Sequence, residues 1–136
     1  MSLLKNAIKV AREFYDEKTY YHAMRVAAYV ANDNLIPEDE KDDCIVLAIM
    51  HDLLEDTEFD ISSFSMDYNL KSCLQLLTKD KDCTYEEYIK HIKEEYPYYP
   101  KAYWVKLADI KDHFCQAETL TDKLKEKYLT AIPYLL

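Results

Sequence analysis

The segment Ala48-Ile49-Met50-His51-Asp52-Leu53-Leu54-Glu55-Asp56-Thr57 places four titratable side chains directly after the most apolar run of the chain, Cys44 to Met50. Burying such groups without partners costs several kcal/mol each, so the segment requires partners. A divalent cation is one: neutral imidazole and carboxylate together make a mixed N/O ligand set suited to Mn, Fe, Zn or Co. At helical spacing Glu55 falls four residues after His51, and Asp56 four after Asp52, which stacks two pairs on neighbouring stripes. Adjacent His-Asp cannot complete a coordination shell, so further ligands must come from other segments. Glu55 and Asp56, one turn on, are the candidates for positioning and deprotonating an attacking water.

A His-Asp pair alone has little specificity in a chain with 4 His and 26 acidic residues. Its setting adds more. The run resembles the HD superfamily of metal-dependent phosphohydrolases, and in particular the hydrolase domain of the RelA/SpoT type, whose pattern reads approximately A-x-x-H-D-x-x-E-D-T. That family has an upstream His-x-x-x-Val-Ala helix, matched by His22-Ala23-Met24-Arg25-Val26-Ala27, and a downstream Lys-Leu-Ala-Asp, matched by Lys106-Leu107-Ala108-Asp109. The resemblance implies His22, His51, Asp52 and Asp109 as metal ligands, manganese as the usual ion with Fe, Zn, Co or Mg as alternatives, and an all-helical bundle of the HD-domain type. It implies hydrolysis of a nucleotide (pyro)phosphate ester, with guanosine tetraphosphate (ppGpp) losing pyrophosphate as the family reaction.

Basic groups should then offset phosphate charge. Lys106 lies three residues before Asp109, Lys79 follows Leu77-Thr78 as in the family's Leu-Thr-Lys stretch, and Lys18 and Arg25 flank His22; His113, four residues after Asp109, could donate to a phosphate or protonate a leaving group. The chain departs from the family on this side. Where relatives carry a basic pair and a glycine-containing loop before the first ligand, this chain reads Glu17-Lys18-Thr19-Tyr20-Tyr21, and His113 stands where a nucleotide-contacting Asn would. The metal-site motifs are therefore better matched than the nucleotide site. Two other readings stay open: an HD-type nucleotidase acting on another nucleotide, and a non-catalytic metal- and nucleotide-binding regulatory module.

The net charge of −9 argues against a nucleic-acid backbone as partner, because such binding rests on Lys and Arg displacing counterions. Between Asp33 and Asp60 eleven acidic residues face one base, Lys41, a field that attracts divalent cations. The longest apolar run falls far short of the ~20 residues of a membrane span. The amino terminus lacks a secretory signal, and Cys44, Cys73, Cys83 and Cys115 show no Cys-x-x-Cys spacing; both point to the cytoplasm.

The elements that must carry these residues are predicted to be helices. A length of 136 residues suits one domain spanning 1–136, and the absence of glycine disfavours a turn-rich β architecture, leaving Asn or Asp to supply any left-handed conformation. Leu4, Ile8, Ala11 and Phe14 or Tyr15 predict a first helix near 3–15. Tyr21, Met24, Ala28 and Val26-Val30 predict a second, with His22 in its first turn and its end at Asn32-Asp33-Asn34. A central buried helix is expected over about 38–54, a capping box at Thr84 and Glu87 opens another through about Glu95, a further helix begins near Ala102, and a last runs from about Thr121 to Ala131, before Pro133.

Overall fold

The computed structural model describes residues 2–116 and 121–135; Met1, residues 117–120 and Leu136 of the expected domain lie outside it. Among the described residues the regular structure is helical, with no strand: α1 (Leu3–Phe14), α2 (Glu17–Ala31), α3 (Glu38–Met50), α4 (Leu53–Asp56), a 3-10 turn (Ile61–Ser63), α5 (Tyr68–Leu76), α6 (Tyr85–Glu94), α7 (Pro100–Cys115) and α8 (Asp122–Leu135). No helix of these is long and apolar enough to cross a membrane.

Short polar side chains start the helices. Ser2, Asp16 and Asp67 accept from backbone N–H groups one turn on, and the predicted capping box is formed in both directions, Thr84 N–H to Glu87 Oε1 at 2.9 Å and Glu87 N–H to Thr84 Oγ1 at 3.1 Å. Helix α3 starts without a side-chain cap, and Glu38, Asp39 and Glu40 oppose the positive end of its dipole instead. No described residue takes a positive φ, so the left-handed Asn or Asp expected at helix ends is not used. The helices close by tightened hydrogen bonds, such as Asp33 N–H to Val30 O and Tyr96 N–H to Lys93 O, both at 3.2 Å, which any residue can make.

Helix α3 is the centre. It packs on α1, α2, α5 and α7; α2 also packs on α7, and α6 pairs with α8 against the far part of α7. The second half of α3, including Val46, Leu47, Ala48, Ile49 and Met50, is buried on all sides, as expected of a central helix. The buried apolar side chains form one continuous cluster.

Several boundaries differ from the sequence expectation. The buried face of α2 is Ala23, Val26, Ala27 and Val30; Tyr21 and Ala28 point outward, and α2 begins early enough that His22 lies in its second turn. Helix α7 begins at Pro100, whose missing N–H costs nothing at a helix start. Helix α8 continues through Pro133 to Leu135, because Leu135 is fully buried and its carbonyl accepts from Tyr103 Oη at 2.7 Å. Helix α5 has no counterpart in the sequence reading, although Asp67 caps it and Leu70, Cys73 and Leu74 form its buried face.

Candidate metal centre

The expected continuous helix from 38 to 54 is broken at His51 and Asp52, and the break has a side-chain cause. Tyr15, at the end of α1, inserts its hydroxyl beside the helix ladder: it donates to Ile49 O at 2.8 Å and accepts from Asp52 N–H at 3.2 Å. The carbonyl of Ala48 accepts from His51 Nδ1 at 2.6 Å. The carbonyls of Ala48 and Ile49 and the Asp52 N–H, which would continue the ladder, are thus held by side chains. Burial raises the Tyr15 hydroxyl pKa, reinforced by Asp52, so it stays a neutral donor.

These bonds aim His51. A carbonyl can only accept, so Nδ1 carries a proton and, in the neutral ring, Nε2 is the nitrogen left to accept a proton or a cation. That Nε2 atom is buried, has no hydrogen-bond partner among the described residues, and lies 3.2 Å from Asp52 Oδ2 and 3.3 Å from Asp109 Oδ1. His22 repeats the arrangement from α2. Its Nδ1 lies 2.6 Å from Asp112 Oδ2, an acceptor that also receives Arg25 Nε on its other oxygen at 2.9 Å, while Nε2 faces Asp109 Oδ1 at 2.9 Å and Asp52 Oδ2 at 3.7 Å. Metal-ligating histidines are held by carboxylates and carbonyls in this way.

A lone pair set against anionic oxygens is repulsive unless a cation or proton stands between them. Donor atoms around an ion at a metal–ligand distance of about 2.1 Å are separated by roughly 3.0–3.4 Å at neighbouring positions, and the separations given above fall around that range. The donor atoms of His22, His51 and Asp52 lie within 4.8 Å of one another, as do those of His22, Asp109 and His113. The orphaned Nε2 of His51 and the mixed N/O set fit a borderline divalent cation.

Charge around the cluster agrees with this. Burial works against charging either imidazole, but carboxylates outweigh it: Asp109 foremost at His22, Asp52 and Asp109 at His51, which is raised well above the ordinary value. Asp109 goes the other way. Burial would raise its carboxyl, and Lys106 together with His51 holds it well below the usual range. Lys106 Nζ lies 2.8 Å from Asp109 Oδ2, so Asp109 turns only Oδ1 toward the imidazoles.

The expected site residues other than Asp56 line two cavities. One, of about 110 Å³, is lined by His51, Asp52, Asp109, Glu55, Lys79, Lys106 and His113, and the other, of about 250 Å³, by Lys18, Arg25, His22 and His113. Glu55 is fixed by Lys79 N–H, which donates to Oε1 at 2.8 Å. Asp56 lines neither cavity and is exposed; partial burial, then Asp52 and Glu55, push its pKa up to about 6. Lys106 is buried, with its ammonium committed to Asp109 and 4.9 Å from the centre of the Tyr88 ring. Arg25 is committed to Asp112.

Four participants escaped the sequence reading: Asp112, Tyr15, and, on the small cavity, Lys127 and Tyr128. Asp112 had a signal, since His22 and Arg25 are three apart on α2 and Asp109 and Asp112 three apart on α7, two matching one-turn ladders. Lys127 brings a third ammonium to a cavity in an acidic chain; burial and then Lys106 lower its pKa. His91 is exposed, as expected of a surface residue. No protein-family model matches the chain, and no curated protein matches it.

Proposed function

We propose that the chain is a metal-dependent phosphohydrolase acting on a nucleotide phosphate ester, with ppGpp or a related nucleotide (pyro)phosphate as substrate. The observation that carries this reading is His51 Nε2, a buried ring nitrogen facing Asp52 and Asp109 at 3.2 and 3.3 Å with no hydrogen-bond partner among the described residues. A cation held by His22, His51, Asp52 and Asp109 answers it, with manganese the first candidate by likeness to HD-type hydrolases and Fe, Zn, Co or Mg alternatives. Such an ion lowers the pKa of water and polarises a phosphoryl oxygen.

The chain's own groups supply the rest. Lys79 and Lys127 offer positive charge on the cavity beside the ligands, and Glu55, held by Lys79 N–H, orients a water there. Asp56 lies outside that cavity, where its pKa near 6 lets it exchange a proton with solvent close to neutrality. The four thiols are unpaired, in keeping with a reducing cytoplasm.

The choice of nucleotide is where a second reading gains support. Residues Glu17–Tyr21 are the first turns of α2, so the segment where relatives carry a glycine-containing loop is helical here. That favours a phosphate ester other than ppGpp. Elemental analysis of the purified protein beside His51→Ala tests the metal, and incubation with manganese and a nucleotide panel tests the chemistry. Absence of metal in the wild type overturns the reading; turnover of another nucleotide but not ppGpp selects its second form. Glu55→Gln, expected to keep metal and lose turnover, separates an enzyme from a regulatory binding module.

A further inference from the structure

His113 lies one turn beyond Asp109 on α7, and its Nε2 is 3.3 Å from Asp109 Oδ1, the same separation as between that oxygen and His51 Nε2. Asp109 Oδ1 is therefore a corner shared by three imidazole nitrogens, with His22 Nε2 at 2.9 Å as the third. Lys106 occupies the other carboxylate oxygen, so Asp109 cannot turn to serve only one of them. The His113 ring is fixed from outside. It stacks on Tyr128 of α8, ring centres 4.9 Å apart and planes 17° apart, and lies tilted over His22 at 4.7 Å.

Resting on the metal-binding part of the proposed function, we infer that His113 is a fifth protein ligand of that ion, entering on the side of His22 and Asp109, whose donor atoms lie within 4.8 Å of its own. A solvated phosphate-binding histidine would need neither an aromatic clamp nor a position at the edge of the donor cluster. Added nitrogen donors shift preference from manganese and magnesium toward iron, cobalt or zinc.

The probe is cobalt(II), titrated into the metal-free full chain and followed by its visible absorption and by competition with zinc and manganese. His113→Asn is compared with wild type, with His51→Ala, and with His91→Asn as a control on an exposed histidine. The expected result for His113→Asn is an altered cobalt spectrum, cobalt affinity lowered at least about tenfold, and a smaller preference for cobalt over manganese. An unchanged spectrum and affinity in His113→Asn, while His51→Ala loses binding, overturns the fifth ligand and leaves the four-ligand site standing. No cobalt binding by the wild type overturns both. Should His113→Asn fail to fold, the wild type decides: its cobalt-shifted proton NMR spectrum should show ring signals of three coordinated imidazoles, and two would overturn the assignment.

Discussion

The hydroxyl of Tyr15 donates to the backbone carbonyl of Ile49 across 2.8 Å, joining the end of α1 to the last turn of α3. The same oxygen receives Asp52 N–H, so one side chain sets where α3 stops and where two ligand candidates begin. Tyr15→Phe strands a buried carbonyl and frees the Asp52 backbone. An unsatisfied buried group costs about 1–3 kcal/mol, and that destabilisation is expected in urea unfolding. Affinity for a divalent ion should fall as well, because Asp52 loses its anchor. Equal unfolding midpoints for Tyr15→Phe and wild type would contradict this account.

Why this bond was invisible in the sequence is physical. His51-Asp52 stood out because four titratable groups follow the most apolar run of the chain, and that contrast is local. The break between Met50 and Leu53 is made by a residue 34 or more positions away, and no periodicity within 38–54 encodes it. The first helix illustrates the opposite error at Leu4, which has the spacing of a buried face yet is substantially exposed; Ala11 is buried as expected, Tyr15 rather than Phe14 is the buried alternative, and Ala7 joins them. Helix α5 was legible from Asp67 followed by Leu70, Cys73 and Leu74, but short helices among loop-like residues give a weak signal. The i+4 spacing of His113 to Asp109 is legible in the sequence and suggests a donor to a phosphate; what it cannot show is Tyr128, whose ring fixes His113 through a contact between α7 and α8.

Asp112 supports His22 without reaching the other donor atoms given for the cluster. It is fully buried and paired with Arg25, so Asp112→Asn keeps the shape, removes the charge and weakens the hold on the Nδ1 proton. Outer partners of this kind change metal affinity by about 10–100-fold when substituted. That loss is expected in a metal titration of Asp112→Asn, with helical circular dichroism unchanged. A variant binding the ion as tightly as wild type would mean that His22 is oriented by packing alone.

The cluster also fixes a pH dependence. His22 and His51 are raised above the ordinary imidazole value of 6.5, so the metal-free native state binds their protons more tightly than the unfolded chain does. Their contribution to stability is complete below about pH 6.5 and is lost as pH rises through the higher folded values. Asp52 and Asp109, held below 3.8, contribute above that value and lose it as pH falls through their folded values. Metal-free protein should therefore show a falling thermal midpoint from pH 6 upward. An ion replaces the imidazole protons, so the midpoint gained on adding metal should widen over the same range. Thermal melts with chelator and with cobalt test this; a gain that shrinks with rising pH would oppose it.

Lys106 separates two roles that the sequence could not. As a substrate cation it would be dispensable for folding, and its loss would raise KM. Its ammonium is instead buried against Asp109 Oδ2, and although burial opposes its charge, Asp109 holds its pKa well above the ordinary value. Lys106→Met removes one partner of a buried pair and leaves Asp109 Oδ2 without its cation, which costs up to about 3–5 kcal/mol, a large part of a domain's stability. A bound ion can take over neutralising Asp109, so the variant should gain more in thermal midpoint on metal addition than wild type does. A Lys106→Met protein with wild-type stability in chelator and a raised KM would return Lys106 to the substrate side.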